Sequence, residues 1–140
     1  MNTYKNKIII KTKGKGLYKI TDQIKSEVIK SKISDGICFL FVPHTSASIT
    51  IQEIDPASRD DMQYFLEKLV PEIDKNYKHC MEGRDDSSSH IKGSILNSSQ
   101  VVFVEDGNIS LGTWQDIYLW EHRIDERDRI VSVRIISEQY

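Results

Sequence analysis

An α+β fold built on a largely antiparallel sheet is the architecture this sequence predicts. Three observations lead there: several segments alternate apolar and polar residues with period two, strands and helices mix without strict alternation, and Asp106-Gly107 is a strong hairpin signal. No repeat, linker or composition break divides the 140 residues. The expectation is therefore a single-domain sandwich, residues 1–140, with two main helices.

The elements follow in order. Residues 3–13 read as a strand, with Ile8-Ile9-Ile10 and Thr12 β-branched and Gly14 and Gly16 closing it. Thr21 or Asp22 can cap a helix that runs to about Ser31, with Ile24, Val28 and Ile29 on one face. Asp35-Gly36 turns the chain into the run Ile37–Val42, apolar on both sides and so expected to be covered on both faces. Pro43 interrupts the ladder. From His44 to Glu53 the alternation resumes, with Ala47, Ile49 and Ile51 pointing one way and His44, Ser46, Ser48, Thr50 and Gln52 the other.

A helix over Pro56–Val70 has proline in its first turn and Asp60 and Asp61 early, where they suit the dipole. Met62, Phe65, Leu66 and Leu69 form its expected buried stripe. Residues 71–89 are polar, and a loop of that length in a small domain is usually functional. A short helix is expected over 89–97, then a strand at Val101–Val104. A single strand from Ile109 to His122 would be about 46 Å long. That is too long for this domain, so a bulge or bend is expected near Gly112-Thr113. Arg129–Ile136 is the last strand, with Val131, Val133 and Ile135 on one face and Ile130, Ser132, Arg134 and Ile136 on the other.

Composition excludes several classes. Hydrophobic residues make up 39% and charged residues 29%, with only 3 Pro and 7 Gly, which rules out disordered and collagen-like chains. No apolar run approaches the length of a membrane span, and Met1–Lys7 leads into a β-like run without a signal-peptide core. A cytoplasmic protein is expected. A net charge of −2 gives no sign of nucleic-acid binding. The sum conceals an asymmetry: residues 1–33 carry nine Lys against Asp22 and Glu27, whereas residues 53–86 carry ten acids against five bases. Cys38 lies in the most apolar run and reads as core; Cys80, beside His79, fits no ligand spacing.

Histidine is the informative residue type. His44 ends a strand at a proline, while His79 and His90 bracket the polar loop. Three neutral imidazoles would leave an open position on zinc, and such a set is soft for magnesium. His122, beside Glu121, reads as surface. Glu53 and Asp61 are candidate carboxylates for orienting imidazoles or holding an ion against a diphosphate. There is no Walker loop, dinucleotide fingerprint or nucleophile elbow.

Pro43-His44-Thr45-Ser46-Ala47, Ile51-Gln52-Glu53, His79, Ser89-His90-Ile91-Lys92-Gly93-Ser94 and Leu111-Gly112-Thr113-Trp114-Gln115-Asp116-Ile117-Tyr118 occur in this order. Together they resemble the YjbQ-like family, often labelled secondary thiamine-phosphate synthase. The resemblance implies a compact sandwich assembled as a homotrimer, with a metal site from His44, His79 and His90. It further implies Glu53 and Asp61 as acids near that site and Gln115 as a substrate contact. The implied activity joins hydroxymethylpyrimidine diphosphate to thiazole phosphate, releasing pyrophosphate. On this reading the protein is a metal-dependent enzyme, with zinc the expected ion and magnesium the alternative with a diphosphate. A non-catalytic trimeric metal- or ligand-binding protein is the second expectation.

Overall fold

The computed structural model describes residues 2–138. Its elements are β1 (Thr3–Lys13), β2 (Gly16–Lys19), α1 (Thr21–Ser31), β3 (Gly36–Phe41), β4 (Ala47–Glu53), α2 (Pro56–Leu69), α3 (Asp86–Ile95), β5 (Ser99–Glu105), β6 (Asn108–Ser110), β7 (Gln115–Glu121) and β8 (Glu126–Ser137). One sheet runs β1-β8-β3-β5-β6 and the other β2-β7-β4, with every neighbouring pair antiparallel. The α+β class holds, with α1 and α2 as the two main helices and α3 as the short one. Among the described residues no helix is long and apolar enough to cross a membrane.

Alternation dictates which side chains meet. Ile10, Cys38, Leu40, Val102, Val131, Val133 and Ile135 of the five-stranded sheet pack with Ala47, Ile49, Ile117 and Leu119 of the three-stranded sheet. Ile24 and Val28 of α1 join the same core. Burial pushes the Cys38 thiol up to about 12, which keeps it a neutral core group. On the far side of the three-stranded sheet, Leu66 and Val70 close over Trp120, with Leu17, Ile91 and Leu96 around them. The resulting order is five-stranded sheet, then α1 beside the smaller sheet, then α2 and α3. Gly36 permits a close backbone approach in the larger sheet: a Cβ there would lie 2.1 Å from the Ile136 carbonyl oxygen.

Several expectations are corrected. The run 37–42 is covered on one face only: Cys38 and Leu40 are buried, while Phe39 and Phe41 remain 40% and 49% exposed. No described residue covers Phe39 and Phe41 on the outer side of that sheet, so the apolar run predicted a two-sided cover that the described fold does not supply. The apolar stripe of α2 is likewise divided. Leu66 is buried, but Met62, Phe65 and Leu69 point to solvent, because Arg59, Gln63, Leu66 and Val70 lie toward the smaller sheet. Neither Thr21 nor Asp22 caps α1; Thr21 Oγ1 instead donates to Asp116 and accepts from the Ile117 N–H, tying α1 to β7. The short helix begins earlier than expected, at Asp86. The long segment 109–122 does break, into β6 and β7, and the break moves the chain from one sheet to the other.

His122 is buried, not surface. Its Nε2 lies 2.9 Å from Ser48 Oγ, and burial, reinforced by the positive charges of Lys92 and Arg129, pushes it down to about 3. The neighbouring Glu121 is also fully buried. Its carboxylate accepts from Thr12 Oγ1, from the Arg129 guanidinium and from the backbone N–H groups of His122 and Arg123. Arg129 also reaches the Ser46 carbonyl and hydroxyl. This closed network fastens the two sheets at one end.

Candidate metal centre

The N-terminus of α3 carries the arrangement with the most chemical content. Asp86 and His90 are one turn apart and so share a helix face. Asp86 is fully buried, and His90 Nε2 lies 2.9 Å from its Oδ1. The loop between α2 and α3 returns His79 to the same carboxylate, with Nε2 2.8 Å from Oδ2. The two imidazole rings stand 5.0 Å apart, edge to face. Arg123 anchors the acidic turn: Nε donates to Asp85 Oδ2, Nη1 to Asp86 Oδ1 and Nη2 to the Glu82 carbonyl. Burial alone would raise the Asp85 carboxyl; the Ile124 N–H and Arg123 outweigh it and hold the group below the usual carboxylate range.

Proton placement decides what the cluster can do. His90 Nδ1 lies 3.1 Å from the Thr45 carbonyl oxygen, which can only accept, so Nδ1 carries the proton. In a neutral ring the Nε2 lone pair then faces the Asp86 carboxylate. Asp86 Oδ2 is buried and has no hydrogen-bond partner, although His79 Nε2 is close enough for one; the two atoms are near but not aligned as donor and acceptor. Three donor atoms, one each from His79, Asp86 and His90, thus lie within 4.8 Å of one another. An ion about 2.1 Å from each donor would set neighbouring donors roughly 3 Å apart; the two imidazole–carboxylate distances, 2.8 and 2.9 Å, match that spacing, and the nitrogen and oxygen donors suit a first-row divalent ion. A cleft of about 490 Å³ lies alongside, lined by Thr45, Ser87, Ile91, Ser94 and Ile95.

Gly93 makes this orientation possible. A Cβ on it would sit 2.6 Å from the Thr45 carbonyl oxygen, so only glycine lets α3 approach closely enough for His90 to reach that oxygen.

The remaining candidates lie elsewhere. His44 does not join the cluster; its Nε2 accepts the Ile130 N–H at 2.9 Å, and burial, with Arg129 nearby, lowers its affinity for a proton. Glu53 and Gln115 are cross-strand partners at the opposite end of β4 from Ala47, about 20 Å along the strand. Glu53 Oε1 accepts the Ile54 and Asp55 N–H groups, and Gln115 Oε1 accepts the Gly112 N–H at 2.7 Å, so both stabilise their own turns. Asp61 is exposed on α2. Asp86 was missed from sequence, although its i,i+4 spacing to His90 was a readable signal.

Fold and donor set together describe a small layered α+β protein with a candidate cation site at a helix start. The chain belongs to the YjbQ family: the family model described as UPF0047 protein YjbQ-like matches residues 6–138. It is 39% identical over 132 residues to the UPF0047 protein sll1880 of Synechocystis, covering 94% of this chain and 90% of that one. It is 42% identical over 132 residues to MJ1081 of Methanocaldococcus jannaschii, covering 93% and 92%. Among solved structures, an uncharacterized YjbQ/UPF0047 protein of Clostridium acetobutylicum superposes with a TM-score of 0.85 at 41% identity, covering 94% and 99%. A YbjQ-like protein of unknown function from Sulfolobus solfataricus gives 0.89 at 28% identity, covering 98% and 99%.

These relatives overturn the functional expectation attached to the family label. They are named only as UPF0047 or YjbQ proteins, and none carries a thiamine-phosphate synthase activity, a transferase reaction, a place in thiamine biosynthesis or bound zinc in its name. A metal-dependent enzyme on a phosphorylated or heterocyclic substrate, and the non-catalytic metal-binding alternative, likewise find no support in them. Within this chain His44 is turned toward β8, and Glu53 and Gln115 sit at the far end of β4, so the fold does not gather them with His79 and His90.

Proposed function

We propose that His79, Asp86 and His90 form a mononuclear site for a divalent transition-metal ion. Coordination positions open to the adjacent cleft would accept a small ligand with an oxygen or nitrogen donor. One observation carries this reading: a buried carboxylate oxygen without a hydrogen bond faces an imidazole nitrogen, beside a second imidazole whose other nitrogen is already committed to a carbonyl. Lone pairs converging in this way need a cation between them. Two protons, one on each imidazole, are the competing answer, and the experiment separates the two. We further propose a cytosolic setting, which the two free thiols, Cys38 and Cys80, support because thiols stay reduced there.

The test is titration of metal-stripped protein with cobalt(II), followed by visible absorption and by calorimetry. One ion per chain is expected, with affinity falling at least tenfold in His79→Ala, His90→Ala and Asp86→Asn and unchanged in His44→Ala. Absence of saturable binding, or equal binding in all four variants, would leave the cluster as imidazolium–carboxylate pairs and sink the metal reading.

A further inference from the structure

Charge and shape restrict what the open side of the His79–Asp86–His90 cluster can receive. Asp85, Asp86 and the Arg123 guanidinium that bonds both carry one net negative charge, and the two imidazoles ligate as neutral rings. A divalent ion would therefore leave the site with one net positive charge. A second negative charge on a ligand finds no partner in the cleft. Among the described residues, Thr45, Ser87, Ile91, Ser94 and Ile95 line it beside the two imidazoles, with no lysine or arginine. Cations of the neighbouring segments are committed elsewhere. Arg123 is buried against the two aspartates, and Lys92 is buried against Glu67. Arg84 borders the adjoining hollow and pairs with Glu72 at 3.1 Å. The positive end of α3, which would otherwise suit a phosphate, is already taken by the Asp85 and Asp86 carboxylates.

The cleft has two chemically different ends. At the start of α3, Ser87 follows Asp86 directly, and its hydroxyl makes no hydrogen bond with a described residue. That hydroxyl is a free donor beside the open side of the cluster. Ser94, by contrast, spends its proton on the His90 carbonyl at 2.9 Å. Further along the helix, Ile91 and Ile95 are one turn apart and form an apolar wall, the first half-buried and the second 53% exposed. From Ser87 to Ile95 the helix advances about 12 Å. The volume of about 490 Å³ falls in the lower half of the range found for small-molecule sites.

Building on the metal reading above, we infer that the site takes a short aliphatic monocarboxylate and discriminates against phosphate esters and diphosphates. One carboxylate oxygen binds the ion, the other accepts from Ser87, and the alkyl chain lies along Ile91 and Ile95. A single negative charge neutralises the loaded site. A phosphate monoester, at about −1.5 to −2, leaves excess charge facing Asp86 with no cation to meet it. The charge balance and the apolar wall act independently and select the same ligand.

Cobalt(II) separates the two levels of this proposal. The metal-stripped full chain is titrated with cobalt(II) alone, and absence of saturable binding overturns both the metal site and the inference that rests on it. Loaded protein is then titrated with acetate, butanoate, pentanoate, inorganic phosphate and glycerol 3-phosphate, followed by the visible cobalt bands and by calorimetry. Pentanoate is expected to bind roughly tenfold tighter than acetate or either phosphate, since each buried methylene is worth up to about fourfold. Ser87→Ala should weaken all three carboxylates by about three- to tenfold. Ile95→Asn, at a half-exposed position that the core does not need, should cut the gain from acetate to pentanoate to below about threefold. Phosphate bound as tightly as pentanoate, a series flat from acetate to pentanoate, or cobalt bands unmoved by any carboxylate overturns the inference and leaves the metal site standing.

Discussion

Asp86 and Glu121 make an instructive pair. Both carboxylates are fully buried, each faces a buried arginine, and each lies close to histidine in sequence or space. Glu121 has both oxygens occupied, by a threonine hydroxyl, by Arg129 and by two backbone N–H groups. Asp86 gives one oxygen to Arg123 and keeps the other free of hydrogen bonds beside the His79 imidazole nitrogen. Burial and charge are common to the two; what separates them is the unfilled acceptor. A closed network holds a fold together, whereas an open one can still receive a ligand.

The contrast can be broken from the closed side first. Arg129→Met leaves Glu121 buried without its cation and should cost about 3–5 kcal/mol of stability in urea unfolding. Cobalt stoichiometry of the folded fraction should not change. On the open side, Gly93→Ala should drive α3 away from Thr45 and deprive His90 Nδ1 of its acceptor. Loss of such an orienting bond typically weakens metal binding by about 10- to 100-fold, and calorimetry on the refolded variant would register it. If affinity survives, Thr45 does not orient the ligand.

Acid sharpens the comparison further. His122 sits at about 3 in the fold against about 6.5 in an unfolded chain, so below 6.5 only the unfolded state takes up its proton. The folding constant should fall about tenfold per pH unit from that one group between roughly 6.5 and 3. Asp85 behaves differently, because its folded carboxyl is held low. Its contribution is present above about 3.9 and disappears only as pH drops through the folded value. Urea midpoints collected against pH should therefore flatten near pH 5 in His122→Gln but not in Asp85→Asn. The smallest effect belongs to Gln115→Ala, which removes one exposed turn hydrogen bond. It should lower stability by no more than about 1 kcal/mol and leave ion affinity as it was.

Much of the architecture was legible because period two is unambiguous where one face is buried. The alternation of β4 and β8 followed from it, whereas the hairpin at Asp106-Gly107 followed from its turn residues and the break after β6 from the length an unbroken strand would need. Amphipathicity was less informative for α2, since an apolar stripe announces that cover is wanted without saying which residues receive it within the chain. His122 was misread because Glu121-His122-Arg123 looks like a solvated charge run. Only the long-range partners Thr12 and Arg129 of Glu121, Ser48 of His122 and Asp85 of Arg123 make the burial of that run tolerable. The candidate site was half legible. His79 and His90 stood out by their setting around the loop, but choosing Asp86 over Glu53 required knowing which lone pairs the backbone had already claimed.

The Thr45 carbonyl lies in the stretch where the chain leaves the larger sheet and enters the smaller one, and it is also what aims His90. An ion gripped by His90 would thus act as a rivet through three parts at once, namely the crossover, the third helix and the loop that carries His79. Removing the rivet should show up as faster amide exchange at the crossover itself, some distance from any atom the ion touches.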